Sequence, residues 1–227
     1  MKRWGEKPLD EYPMPDLNPY LQEHLQYGPP VLTSEQAHAG RGRWAEVFGR
    51  EAPLHVEIGA GNGFFLAGMA AAHPDRDWVG LEIRFKRVIQ TARKLDRAGV
   101  TNARIARYDV RHLVDLFEPA SVTAFYLNHP DPWPRERQAK NRLLQDWWLD
   151  EILALLTPGG ELRLKTDHLI NVEALMELLP GRPVTLLGRS DDVAGDGAPW
   201  EGDVTTNYQS KFDKKGEPVY AVRVRRD

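Results

Sequence analysis

Apolar residues along this chain fall into two alternating kinds of run. Residues 54–58, 78–82, 103–108, 122–127 and 161–165 are short strand-like runs, of which 78–82 and 122–127 are mainly apolar, the pattern of strands covered on both faces. Between them, apolar residues return every three or four positions, which places them on one face of a helix. Phe64, Phe65, Leu66 and Met69 mark a helix over 63–72. Val88, Ile89, Ala92 and Leu95 mark another over 84–98, with Gly99 as its stop. Two more are predicted over 143–156 and 172–179, the first broken by Thr157, Pro158, Gly159 and Gly160. A short helix is expected within 33–48, with Ser34 as its N-cap and Gly40 and Gly42 interrupting it.

This alternation predicts an α/β fold, a doubly wound and mostly parallel sheet of seven strands with right-handed crossovers. The last two strands, 184–187 and 219–224, have no helix between them, only the long polar loop 188–218. They predict a hairpin-like closure with one late antiparallel strand. Residues 1–30 carry Pro8, Pro13, Pro15, Pro19, Pro29 and Pro30. Proline fixes φ and removes donors, so an extended N-terminal arm is expected there, ahead of one domain over 31–227.

Composition narrows the classes. A chain of 227 residues with 41% hydrophobic content can bury a substantial core. It has no cysteine, which excludes disulfides, thiolate metal sites and a cysteine nucleophile. The seven histidines have no metal-pair spacing and read as surface or hydrogen-bonded side chains, so no metal is expected. No apolar run approaches the roughly 20 residues that span a bilayer. The first residues lack the apolar core of a signal peptide, so the expectation is a cytoplasmic protein without membrane association. A net charge of -3 disfavours a non-specific nucleic-acid coat but leaves room for a local basic patch. The acidic run Asp191, Asp192, Asp196, Glu201 and Asp203 reads as solvated surface.

The candidate chemistry begins at the end of the first confident strand, where Glu57 precedes Gly59, Gly61 and Gly63. A dinucleotide fingerprint would need its third glycine where Phe64 stands, so that match fails. Glycines at alternate positions let the backbone pass close to a ligand. A carboxylate just ahead of them repels a diphosphate and favours an ammonium group. Glu82, ending the second strand, can accept both hydroxyls of a ribose, and Asp109, ending the third, can accept from an adenine amino group. Acids at the ends of successive strands point into the crevice where open α/β sheets bind ligands. Adenosine with a cationic tail and no phosphate is S-adenosylmethionine. With the turn at 157–160, this part resembles a class I S-adenosylmethionine-dependent methyltransferase.

At the end of the fourth strand stand Asn128, His129, Pro130, Asp131, Pro132, Trp133, Pro134 and Arg135, where a substrate base would meet the cofactor's methyl. Prolines stiffen this loop, and Trp133 offers an aromatic face for stacking. Arg135, Arg137, Lys140 and Arg142 follow as a basic segment opening the next helix, suited to positioning RNA phosphates. Trp147 and Trp148 read as helix packing.

This segment resembles the Asp-Pro-Trp-Pro-Lys-Lys-Arg-His-x-Lys-Arg-Arg-Leu signature of tRNA (guanine-N7-)-methyltransferases. The similarity runs from about residue 54 to 223 and includes the Thr-x-Tyr/Phe-Glu mark, here Thr206, Asn207, Tyr208 and Gln209. The resemblance implies methyl transfer to N7 of guanine 46 in the tRNA variable loop. It implies cofactor roles for Glu57, Glu82, Asp109 and Asp131, and substrate roles for Arg135, Asp167 and Thr206 to Gln209. Departures from the signature are Arg135 for lysine, Gln138 for histidine, Asn141 for arginine and Gln209 for glutamate. Guanine N7 has no proton, so the expected mechanism needs no strong base. Asp131 is the candidate for stabilising positive charge on the product ring. Asp131, Pro132 and Trp133 also approach the Asp-Pro-Pro-aromatic loop of exocyclic-amine methyltransferases, and a non-catalytic RNA-binding protein is a further alternative. Monomer and homodimer are equally compatible with the sequence.

Overall fold

Strands alternate with helices as the apolar pattern predicts, and the chain divides into two compact units, Met1–Glu118 and Pro119–Asp227. The computed structural model describes Glu11 and residues 18–227. In the first unit the strands β1 (Val31–Leu32), β2 (Leu54–Ile58), β3 (Asp77–Glu82) and β4 (Ala103–Arg107) are all parallel, in the order β1-β4-β3-β2. Every residue of β2 is buried, and Trp78, Val79, Leu81, Ile105 and Ala106 are fully enclosed. Burial on both faces is why β3 reads as a mainly apolar run, while β2 carries His55 and Glu57 into the buried layer.

Among the described residues this unit's α-helices are α1 (Pro19–Gln26), α2 (Ser34–Ala39), α3 (Trp44–Phe48), α4 (Phe64–Ala72) and α5 (Phe85–Ala98). The predicted stripe on α5, Val88, Ile89, Ala92 and Leu95, is entirely buried, and Gly99 ends the helix in the left-handed conformation. Asn102 locks the turn before β4 by donating to the carbonyls of Ala70, His73 and Arg76.

Three expectations are corrected in this unit. The described strands number eight rather than seven, because Val31 and Leu32 pair with Ile105 and Ala106; a two-residue strand is too short to show a period. The arm expected to be extended carries α1. Asn18 caps it by accepting from the Tyr20 N–H, and Pro19 stands in the first turn, where its missing N–H costs nothing. Leu21 and His24 are buried, and Arg93 of α5 grips Glu23 of α1 through both carboxylate oxygens. The hydroxyl of Tyr27 donates to Asp96 at 2.6 Å, and burial together with that carboxylate pushes its pKa up to about 12. The remainder of 1–17 other than Glu11 lies outside the described residues. Finally, the cap of α2 is Thr33, which forms a reciprocal capping box with Gln36, while the Ser34 hydroxyl donates to the Arg107 carbonyl.

The second unit holds β5 (Val122–Asn128), β6 (Leu156–Thr166), β7 (Val184–Ser190) and β8 (Tyr220–Arg226), in the order β5-β6-β8-β7. β5 and β6 are parallel, and β8 is antiparallel to both of its neighbours, the late reversed strand that the sequence predicts. Its helices are α6 (Asp146–Leu155), α7 (Leu169–Leu178), α8 (Val193–Asp196) and α9 (Gln209–Asp213). The break at 157–160 is a bulge inside β6: Leu156 already pairs with Val122, and the next partners are Ala124 and Glu161. Among the described residues no helix is long and apolar enough to cross a bilayer.

The loop 188–218 holds more structure than its polarity suggests. Asp203 is not solvated. The ammonium of Lys165, a fully buried side chain on β6, donates to its two oxygens at 3.0 and 2.7 Å and to the Val204 carbonyl at 3.1 Å. The Trp200 indole N–H donates to the same carboxylate, and its ring packs with Val193, Val219 and Ala221. Asp192 caps α8. Removing one partner of a buried ion pair leaves the other charged and stranded, at about 3–5 kcal/mol. Lys165→Met is therefore expected to lower stability by about that amount in urea unfolding. Lys165→Met combined with Asp203→Leu is expected to regain most of it, because no charge is then left buried.

Candidate active site

In the first unit the chemistry gathers at the carboxyl ends of parallel strands. Glu57 lies within β2, two residues ahead of Gly59, and is buried. Glu82 is the last residue of β3. One of its oxygens accepts from the Gly61 N–H at 3.1 Å and the other from the Arg84 N–H at 2.9 Å, so the carboxylate is aimed at the glycine turn. Asp109 stands two residues beyond β4, not at its end, because the strand stops at Arg107. Arg111 covers it, donating through Nε at 3.0 Å, Nη2 at 2.7 Å and its own backbone N–H at 3.0 Å. Burial alone would raise the Asp109 carboxyl, but those bonds hold it below the usual carboxylate range.

The three glycines of the turn do different work, although all have positive φ. A Cβ on Gly63 would lie 2.6 Å from the Thr91 methyl and 2.8 Å from its Cα, so this glycine lets α4 and α5 close on each other. A Cβ on Gly59 would meet nothing within 4 Å, and one on Gly61 only the Gly59 carbonyl at 3.9 Å. Backbone facing open space beside acceptor-only carboxylates fits a ligand rich in hydroxyl, amino and ammonium donors and fits no phosphate. Both Gly59→Ala and Gly63→Ala strain a left-handed residue, but only the second drives a methyl into packed backbone. Gly63→Ala is expected to cost about 1–3 kcal/mol more than Gly59→Ala in denaturant unfolding.

In the second unit the site forms where β5 and β6 end. Asp131 is exposed on a loop held by two non-glycine residues in the left-handed region, His129 at φ 48° and Trp133 at φ 40°. Such residues each store of order 1 kcal/mol and persist only where surroundings over-determine them. The determinants are visible: Asn171 of α7 donates to the Pro130 carbonyl, and Arg142 Nε donates to the Trp133 carbonyl at 3.1 Å. Arg142 therefore folds the loop back instead of joining the exposed cations. Arg135, Arg137 and Lys140 are exposed, on or beside a 3-10 turn, Glu136–Asn141, that precedes α6. Among the described residues none of the three is in an ion pair. Of the two tryptophans expected to pack, Trp148 is fully buried, while Trp147 is half exposed with its N–H on Gln145.

Asp167 follows the last residue of β6. It meets His129 Nδ1 at 2.9 Å and His168 Nε2 at 3.1 Å. Burial would raise its pKa, but the hydrogen bond from His129 and a backbone donor outweigh that and hold it lowered. Thr206 is buried and shares its hydroxyl between His129 Nε2 at 3.0 Å and the Gln209 N–H at 2.9 Å. Asn207 is half-buried, and the Tyr208 ring is half exposed with the Lys211 ammonium 5.1 Å from its centroid. Gln209 is buried, and its side-chain oxygen has no hydrogen-bond partner among the described residues.

Sequence reasoning assigned His129 no role, although it quoted the residue. In the structure it joins two of the expected substrate residues, Asp167 and Thr206. The only available signal was its place between a strand end and the Asp131 loop, because its partners lie far along the chain.

A family model described as "Putative methyltransferase" matches residues 51–222. The tRNA (guanine-N(7)-)-methyltransferase of Streptococcus thermophilus is 35% identical over 202 residues, 88% of this chain and 93% of that protein. Among solved structures, TrmN from Thermus thermophilus superposes with a TM-score of 0.56 at 19% identity, over 91% of this chain and 53% of that one. SMU.1697c from Streptococcus mutans, described as "a putative methyltransferase" and solved in complex with SAH, superposes with a TM-score of 0.51 at 13% identity, over 77% of this chain and 89% of that one. At those identities the two structures speak for the fold alone.

Proposed function

We propose that this chain, which belongs to the tRNA (guanine-N7-)-methyltransferase family, transfers a methyl group from S-adenosylmethionine to N7 of guanine 46 in the variable loop of tRNA. The observation that carries the reading is the loop after β5. An exposed acid and an aromatic face stand there on strained, anchored backbone, directly ahead of three exposed cations. When bound, S-adenosylmethionine supplies an electrophilic methyl that the in-plane lone pair of guanine N7 can take up without losing a proton.

The chain's own residues then bind, orient and stabilise. Glu57 takes the ammonium of the donor, and Glu82 takes the ribose hydroxyls with the lone pairs its two backbone bonds leave over. Asp109 accepts from the adenine amino group with the lone pairs that its bonds from Arg111 leave over. Gly59 and Gly61 admit the ligand to the backbone, while Gly63 maintains the turn. Asp131 faces the methylated ring, which gains positive charge, and a carboxylate placed there lowers the barrier electrostatically. Its second role in this reading is to help hold the donor's ammonium. Arg135, Arg137 and Lys140 take phosphates, so they set position and salt dependence rather than sequence preference. Asp167, Thr206, Asn207, Tyr208 and Gln209 hold the guanine. The unpaired oxygen of Gln209 is suited to accept from one donor of the base's Watson–Crick edge, where a glutamate would accept from two.

The test is transfer of labelled methyl to unmodified tRNA, with the modified base mapped by borohydride–aniline cleavage. Cleavage at a variable-loop guanine is expected; incorporation without it would favour methylation of an exocyclic amine. Asp131→Ala is expected to lower kcat by roughly a hundredfold, by analogy with loss of one transition-state contact. Turnover near that of the unaltered enzyme would remove Asp131 from the mechanism. Alanine at Arg135, Arg137 or Lys140 is expected to weaken binding of every tRNA alike. Each is expected to reduce the slope of log affinity against log salt by about one.

A further inference from the structure

His129 has the geometry of a functional side chain rather than a core one. A histidine that merely fills space commonly satisfies one nitrogen on a backbone carbonyl and leaves the other to water. Here both ring nitrogens meet side chains, Asp167 at 2.9 Å and Thr206 at 3.0 Å, and the side chain is only 6% exposed. Its backbone N–H donates to the Lys165 carbonyl at 2.7 Å, which continues the β5–β6 ladder one residue past β5. The ring lies against two aromatics of the late segment, 6.0 Å from Phe212 at 20° and 5.7 Å from Tyr208 at 30°. Its place, tilt and rotation are therefore all fixed.

The bonds have one consistent direction. The Gln209 N–H donates to the Thr206 hydroxyl, which then has its own proton to give to His129 Nε2. That leaves Nδ1–H to donate to Asp167, a tautomer assigned from the network. One imidazole thus ties the start of α9 to the acid at the end of β6.

We propose that His129 is a positioning residue for the methyl-transfer reaction: it holds Asp167 and Thr206, and through Thr206 the Gln209 backbone, in the arrangement that receives the substrate base. The inference rests on the methyltransferase reading and adds to it a residue outside both the donor-binding acids and the charge-stabilising Asp131. Rotating away an oriented carboxylate by about an ångström is enough to lose roughly a hundredfold in rate.

His129→Phe keeps a flat ring against Phe212 and Tyr208 and removes both hydrogen bonds. With tRNA as the varied substrate, it is expected to lower kcat/KM by about 10–100-fold while the KM for S-adenosylmethionine stays unchanged. His129→Asn, whose amide nitrogen can stand where Nδ1 stood, is expected to recover part of the loss, and it carries the test if the phenylalanine variant does not fold. In an Asp167→Ala background His129→Phe is expected to cost severalfold less than in the unaltered protein, because of the two groups it positions only Thr206 then remains. Unchanged kcat/KM in His129→Phe would overturn the proposal. So would the same fold loss with and without Asp167, or no recovery by asparagine. If the unaltered protein transfers no methyl to tRNA, the reading of the reaction fails and this proposal falls with it; an active unaltered protein with an indifferent His129 sinks the proposal alone.

Discussion

A parallel strand covered on both faces can present polar groups to a ligand chiefly near its end. In both units this constraint sorts the residues. β2 and nearly all of β3 are buried, as are Ala103, Ile105 and Ala106 of β4, and the acids Glu57, Glu82 and Asp109 lie toward the carboxyl ends or just beyond. β5 is apolar nearly to Asn128, and β6 holds Leu162 and Leu164 in the core beside the buried Lys165; His129, Asp131 and Asp167 follow where the two strands end. Burial fixes the strands, the strands fix where the backbone turns, and the turns aim carboxylates and amides. The glycines serve this arrangement in two ways, Gly63 by permitting close helix packing and Gly59 by leaving space in front of the backbone.

The second unit solves a further problem. Its late loop is long and polar, and ordering such a segment costs about 1–2 kcal/mol of backbone entropy per residue. Buried contacts offset that. The Lys165 ammonium holds Asp203 and Val204 from beneath, Trp200 packs into a small apolar cluster, and His129 holds Thr206 three residues on. A loop anchored at 200, 203, 204 and 206 presents Tyr208 and Gln209 in a fixed place without needing a strand or a long helix of its own. The charged anchor and the imidazole anchor both start from β5 or β6, so the most ordered part of the unit dictates the geometry of its least regular part.

Strands 54–58, 103–108 and 122–127, and the helix on Val88, Ile89, Ala92 and Leu95, were legible because each satisfies its own period within one segment. The glycine turn and the Asp131 loop were legible because their residues are contiguous. The elements that sequence missed depend on distant partners or on brevity. Asp203 looked solvated because Lys165 lies 38 positions earlier. His129 looked incidental because its partners are at 167 and 206. Val31 and Leu32 become a strand only through Ile105 and Ala106, and Pro19 starts a helix because of its place in the first turn. Arg142, counted with the cations, is spent on the Trp133 carbonyl.

The nucleophile is the central claim. The most direct measurement is methyl transfer to a tRNA transcript with 7-deazaguanine at position 46 of the variable loop, compared with the ordinary transcript. The replacement swaps N7 for a C–H and leaves the Watson–Crick edge, the phosphates and the fold of the RNA in place. Undiminished tRNA binding with no methyl incorporation is the expected result. Incorporation at the rate of the ordinary transcript would show that the methyl goes elsewhere and would contradict this account of the site.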